Sequence, residues 1–547
     1  MIQLDIKSKI QSYFSKLAIA YAVVFAFQFF LLYPLHKSMD LPLWDESYCI
    51  GWGRDFALGI SKLGALECSP GYVLLYSLFY RLFGTIASIF FMKYFLTIST
   101  TLLIFTFLIK NLRLLSIAIL SSFLWAMSNY NIRANNMVYY FAVIIFILAL
   151  VYSDKSRLIS LLLLLLCVFI RLEYIFIFIP YFIYLAILFF RKKRQIKTLL
   201  AYNQKSMLTL SLLILLILLI LLTYIAVNIT DWNIGTRRIW FGFKQHYALT
   251  QQEAGRFNFN PWLDYNIIIN QDFPNAHSVR DAFLINPFKF IYNILKNFVY
   301  LFKALLGFIF PSFFCDLWHI FLAIPILVFI SATYIFLLKW QIFIFHVKSI
   351  ISKLGDVYIL SLIAPLALIP SLMVYTKTSY SLMLLPIIFL CAGVLYRAFL
   401  EACDHSVYIE ITLHVLICLI LLVVIGSPMP FGQKNIQRSI YEKVLKLKQI
   451  WPSGKIKLLG VGSSSYAIYL GHEMCLPIEP LANVREEIIK KISLKEMLAS
   501  FKPDVILINQ ELSSFCNFDK NSLEVLDSKA RATYVIGDEK IYFLRHE

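Results

Sequence analysis

Two adjacent carboxylates are the first residues in this chain that could do chemistry. The stretch Trp44-Asp45-Glu46-Ser47-Tyr48, with Arg54-Asp55 after it, follows the first apolar run. Carboxylates beside hydrocarbon are costly and mark functional positions. One of them can take a proton from an acceptor hydroxyl as that oxygen attacks. Adjacent acids can also hold a divalent cation such as Mg or Mn, or one can orient the other. The plain alternative is a solvated loop whose acids cap a helix.

Cationic residues supply a second kind of chemistry. Arg171 and Glu173 interrupt the apolar stretch 158–190, either as an intramembrane ion pair or with Arg171 on an anionic head group. Lys377 opens "KTSYSLMLLP" beside Tyr380, as a snorkelling lysine or as a cation for a lipid phosphate. In "TRRIWFGFKQHYALTQQEAGRF", Arg237, Arg238 and His246 alternate with Trp240, Phe241, Phe243 and Tyr247. That mixture suits the headgroup region, and also a sugar stacked beside a phosphate.

The elements that must carry these groups are mostly membrane helices. The chain has 547 residues, 60% hydrophobic and 15% charged. Many apolar runs approach the roughly 20 residues needed to cross a bilayer. Strands of a β-barrel would alternate polar and apolar residues, and these runs do not. The reading is a polytopic α-helical protein with about 11–13 spans. The formal net charge of +18 comes largely from short basic loops, as the positive-inside rule requires. No basic, aromatic-interleaved module points to nucleic acid. Nine cysteines show no metal spacing, and Cys49 and Cys68 share one loop, which permits an extracytoplasmic disulfide.

Placing the basic clusters Lys110–Arg113, Lys155–Arg157, 191–197 and Lys339–Lys353 inside fixes the orientation. The N-terminus is then cytoplasmic. Outer loops cover 36–70 and 229–289, and the turns near Asn135, Arg171 and Lys377 fall on the same outer face. Residues 1–430 form the membrane domain. Residues 431–547 form a soluble extracytoplasmic α/β domain, with strands at "KIKLLGVG" and "PDVILIN", a helix in "NVREEIIKKISLKEMLASF" and a hairpin at "YVIGDEKIYFL". "GVGSSSYAIYLG" is expected to be a structural strand-to-helix turn.

As an ordered set these stretches resemble the GT-C superfamily of membrane glycosyltransferases. They are most similar to the glycosyltransferase family 39 type, which includes protein mannosyltransferases and the lipid A aminoarabinose transferase. The resemblance rests on Asp45-Glu46-Ser47-Tyr48 in the first outer loop and on the helix from Pro70-Gly71-Tyr72 to Leu82-Phe83-Gly84. It rests also on Lys377-Thr378-Ser379-Tyr380 at a helix mouth. It covers about residues 15–400.

The resemblance implies an inverting transferase at the outer face of an inner membrane, using a polyprenyl-phosphate sugar as donor and a lipid, glycan or protein as acceptor. Asp45 would act as general base with Glu46 in support, and the two would hold any divalent cation. Tyr48, Arg54, Arg171, Glu173, Arg237, Arg238, His246, Lys377 and Tyr380 would bind substrate. Asn135 and Asn136 stand where family members often carry a second acid; each could hold a sugar hydroxyl but not act as a base. "ECSPGY" lacks the lysine that the aminoarabinose transferase carries before its proline, so that substrate is not inferred. Two other readings fit the same residues: a transporter or flippase of lipid-linked sugars, and a polysaccharide polymerase or ligase.

Overall fold

Pro70 follows Ser69, whose hydroxyl accepts from the Tyr72 amide, and the helix they start ends at Gly84 with φ +75°. This start and stop are encoded locally, since proline suits the first helical turn and glycine a left-handed cap. The computed structural model describes residues 2–33, 45–60, 69–195 (apart from 129 and 132–136), 232–309 (apart from 257, 259–260 and 262–263), 339–403 (apart from 375–377), and 439–544 (apart from 451–453, 472–473, 479–493, 510–511, 514–519 and 537–538).

The described chain is mostly helical, with one small sheet near its end. In order, the helices are α1 (Ile2–Leu32), α2 (Asp45–Ala57), α3 (Pro70–Phe83), α4 (Thr85–Leu112), α5 (Leu115–Met127), α6 (Met137–Tyr152), α7 (Arg157–Ile170) and α8 (Ile175–Gln195). They continue as α9 (Trp232–Glu253), α10 (Tyr265–Asp272), α11 (Val279–Ile285), α12 (Pro287–Ile309), α13 (Trp340–Lys353), α14 (Asp356–Ile363), α15 (Ile369–Val374) and α16 (Leu385–Ala402). Among the described residues four segments are long and apolar enough to cross a membrane: Phe14–Leu32, Ile86–Leu112, Asp356–Val374 and Tyr380–Ala402. The apolar runs at 207–228, 310–338 and 408–426 lie outside the described residues.

Two expectations from the sequence are corrected. The segment 36–70 is not all loop, because Asp45–Ala57 is helical. The segment 229–289 is chiefly helical, as α9, α10 and α11. As the sequence reads, Gly84 ends the helix that Pro70 starts; at 14 residues, α3 is only about 21 Å long. That is short of the roughly 30 Å of a bilayer core.

Packing divides the chain into two units, one of Met1–Tyr33 with Tyr94–Gly432 and one of Pro34–Lys93 with Gln433–Glu547. In the first unit α6 packs along α7, and α8 against α7 and α14. Gln28 Oε1 ties three segments by accepting from Thr101 Oγ1 at 2.9 Å and Asn131 Nδ2 at 2.8 Å. At α14, Asp356 accepts from Arg157 Nη2 and Tyr184 OH, both at 3.1 Å, and its amide donates to Asp154. The apolar helix Asp356–Val374 is interrupted by a 3-10 turn at Ala364–Leu368 containing Pro365. A second 3-10 turn, Thr378–Leu384, precedes α16.

The second unit contains α2, α3, α17 (Ser439–Ile450), β1 (Ile456–Leu459), α18 (Ser463–Leu470), β2 (Cys475–Ile478), α19 (Leu494–Phe501), β3 (Val505–Ile508), α20 (Lys520–Lys529), β4 (Ala530–Ile536) and β5 (Glu539–Leu544). The strand order is β2-β1-β3-β5-β4. β1 pairs in parallel with β2 and β3, while β5 pairs antiparallel with β3 and β4. Parallel neighbours need crossovers, which α18 and α19 are placed to supply. Leu459, Ile506, Met497, Leu512 and Leu526 fill the core beneath the sheet. A Cβ at Gly460 would stand 2.8 Å from Leu507 Cβ and 3.1 Å from Leu507 O, so glycine permits the close approach of β1 and β3. Gly462, at φ +85°, turns the chain from β1 into α18.

Candidate functional site

The acidic motif is built on α2. Asp45 and Glu46 occupy its first two positions, where the helix dipole favours negative charge. Glu46 is buried, and its carboxylate accepts a hydrogen bond from the phenol of Tyr72 on α3. Burial, then the Glu46 charge and hydrogen bond, push the Tyr72 phenol well above its ordinary range. Tyr72 therefore stays a donor at neutral pH.

Ser47 follows, also buried, with its hydroxyl 3.4 Å from that of Ser465 on α18. A Cβ at Gly53 would lie 2.6 Å from Tyr76 Cδ1, so α2 and α3 pack at a distance only glycine allows. Arg54, predicted to bind substrate, is buried and pairs with its neighbour Asp55 at 3.0 Å. On α3, Tyr76 OH accepts from Ser88 Oγ at 3.1 Å. The helix that begins with the two acids thus packs on α3 and on α18 of the α/β sheet domain within the same unit.

A cationic group lies in the other unit. Arg171 caps α7, and a 3-10 turn at Leu172–Tyr174 leads into α8. Its Nε and Nη2 both donate to Glu173 Oε1 at 2.8 Å. The guanidinium carbon sits 4.2 Å from the ring centre of Tyr139 and 5.6 Å from that of Tyr380. The two rings meet edge-on at 5.1 Å. The sequence singled out Arg171, Glu173 and Tyr380, and the fold brings all three together. It missed Tyr139, which lies only three residues beyond Asn136 in "NNMVYY". Arg171 remains 24% exposed, and its Nη1 has no hydrogen-bond partner among the described residues. A planar cation held by aromatic walls, with one donor edge open, is suited to a phosphate oxygen.

The helices of 229–289 have their own centre. Asp272, at the end of α10, has a fully buried side chain. It accepts from Tyr247 OH at 2.6 Å and pairs with Lys289, while Arg256 approaches at 3.4 Å. Burial, then the hydrogen bond and charge of Asp272, push the Tyr247 phenol up. Around this centre Phe243 stacks on Trp240, Tyr247 and Phe290. The aromatic residues expected to anchor in headgroups here form a packed core. His246 is partly buried on α9. No sequence signal marked Asp272, because its partners lie 16 to 25 residues away.

The side chains of Asp45, Tyr48, Arg237 and Arg238, and the whole of Asn135, Asn136, Lys377 and Cys68, lie outside the described residues. Among the described residues no group of three or more His, Cys, Asp and Glu is placed to hold a metal ion.

No family model matches this chain, and no curated protein matches it. Among solved structures it is similar to the crystal structure of ArnT from Cupriavidus metallidurans in the apo state. The identity is 10%, the TM-score 0.38, and the match covers 97% of this chain and 98% of that one. A likeness at that score carries no argument for fold or function.

Proposed function

We propose that this protein is a membrane glycosyltransferase that moves a sugar from a polyprenyl-phosphate carrier to an acceptor hydroxyl at the outer face of an inner membrane. The observation that carries the reading is Arg171, held between Tyr139 and Tyr380 at a break between two apolar helices, with Nη1 open. A guanidinium kept at membrane depth and only partly neutralised by Glu173 suits a lipid-borne anion.

In this reading the acceptor oxygen attacks the anomeric carbon and inverts it. Its proton passes to the Asp45 carboxylate. The bond from the anomeric carbon to the phosphate oxygen breaks, and its electron pair leaves with polyprenyl phosphate. Arg171, and Lys377 with it, stabilise the charge that grows on that oxygen, commonly the largest catalytic contribution. Glu46 acts through its place on Tyr72, holding α2, rather than as a second base.

The test is release of polyprenyl phosphate from radiolabelled polyprenyl-phosphate sugars by the purified chain, with a membrane extract as acceptor. Wild type should release and transfer, while Asp45→Asn retains donor binding and loses transfer. Arg171→Ala should weaken donor binding. Binding without release across a donor panel would replace the transferase with a carrier of lipid-linked sugars.

A further inference from the structure

Helix α12 is built inside out. Phe288, Ile291, Leu295, Phe298 and Phe302 are exposed, while Asn293 and Asn297 on the opposite face are fully buried. Four residues apart, the two asparagines stand one above the other on a single helix face. Exposed apolar residues suit a lipid-facing surface; two amides on the protected face call for hydrogen-bonding partners.

Asn297 has half of what it needs. Its Nδ2 donates to the carbonyls of Leu372 at 2.8 Å and Val374 at 3.4 Å, the last turn of α15, where the helix leaves carbonyls unpaired. Its Oδ1 is buried with no hydrogen-bond partner among the described residues. Asn293 has neither partner: both Nδ2 and Oδ1 are buried and unmatched among the described residues. An amide offers two donors and two acceptor lone pairs, and leaving all of them unmet is a cost native structures seldom carry.

The turn Thr378–Leu384, which contains Tyr380, also packs against α12. So α12 meets the Val374 end of α15 through Asn297, and also the turn whose Tyr380 lies beside the Arg171 guanidinium.

We infer that Asn293 and Asn297 form a binding site for the hydroxyl groups of an uncharged sugar ring, namely the glycosyl unit of the lipid-linked donor. The inference rests on the transferase reading for the donor's identity. The chemistry is neutral and bifunctional: a ring hydroxyl donates to Asn297 Oδ1 or Asn293 Oδ1 and accepts from Asn293 Nδ2. A buried site built from amides selects ligands that carry hydroxyls and rejects those that lack them, because an unmatched amide is left behind.

The experiment is thermal unfolding of the purified full chain in detergent with three probes: polyprenyl phosphate without sugar, a panel of polyprenyl-phosphate monosaccharides, and free methyl glycosides. The variants are Asn293→Leu, which keeps the branched shape of asparagine but is larger and apolar, and Asn293→Ala. In wild type at least one sugar-bearing lipid should stabilise more than the bare lipid. Both variants should lose that increment, equivalent to about 3- to 10-fold weaker binding, while keeping the shift given by bare polyprenyl phosphate. An increment preserved in both variants overturns the sugar site and leaves Asn293 as an amide satisfied by buried water. If no lipid shifts wild type, the donor reading fails, and the methyl glycosides then decide. A shift in wild type that both variants lose supports the sugar site by itself, and no shift overturns it.

Discussion

Ser47 and Ser465, 418 residues apart in the chain, bring their hydroxyls to 3.4 Å. Both are buried, one at the start of the helix that bears Asp45 and Glu46, the other in the first turn of α18. The C-terminal sheet is therefore a support for the acidic motif. Ser465→Trp forces α18 and α2 apart and should destabilise by about 1–3 kcal/mol. Protease cleavage within residues 45–60 should quicken with it, whereas Ser465→Ala stays near wild type. A tryptophan variant that melts with wild type and resists cleavage equally would deny the sheet that role.

Tyr72 donates to the buried carboxylate of Glu46. Tyr72→Phe removes that donor and should cost about 1–3 kcal/mol. Glu46→Gln keeps an acceptor and drops the charge, so it should cost less. In a double-mutant cycle the two changes should couple by more than about 0.5 kcal/mol. Additive effects would mean that the contact contributes nothing.

Gly460 lies where β1 and β3 run closest, with Leu507 O only 3.1 Å from a would-be Cβ. Because that neighbour is backbone, it cannot rotate away. Gly460→Ala should lower stability by about 1–3 kcal/mol, seen as an earlier denaturation midpoint with unchanged slope.

Arg171 stacks on Tyr139 and forks onto Glu173. Lysine keeps the charge but not the plane or the fork. Arg171→Lys should weaken binding of a polyprenyl-phosphate sugar by about 3- to 10-fold, the range of one cation–π or hydrogen-bond contact. Equal affinity in Arg171→Lys and wild type would reduce the site to a point charge.

Tyr247 donates to Asp272 at 2.6 Å, and its phenol is held above the ordinary value of about 10. A raised folded pKa gives a contribution that is complete below the unfolded value and fades as pH rises beyond it. Wild type should thus lose stability relative to Tyr247→Phe as pH climbs above about 10, with their difference constant between pH 6 and 9. Parallel curves through the alkaline range would show that the phenol ionises equally in both states.

Local signals were legible in the sequence. Ser69-Pro70 and Gly84 bound α3, Arg171 falls at the break between apolar helices, and "KIKLLGVG", "PDVILIN" and the hairpin match β1, β3 and the β4–β5 pair. Each depends on residues close together in the chain. What escaped depends on distant partners. The helix of α2 is short and glycine-containing, with little intrinsic propensity, and is held by Tyr72, Tyr76 and Ser465. Helix α9 read as loop because its polar and aromatic residues mask a face that packs on Phe273 and Phe290. Asn293 and Asn297 carried a signal, their four-residue spacing in an apolar helix. Which face was inside, however, is set by packing rather than by composition.

The second unit joins Pro34–Lys93 to Gln433–Glu547, so its two pieces are separated by the 339 residues Tyr94–Gly432. At about 5–20 residues per second of synthesis, the early piece waits roughly 17–70 seconds for its partner. During that interval neither Ser465 nor the sheet exists to complete the seat of Asp45 and Glu46. A chain that stalls or is cut before its last segment is left with a half-made second unit.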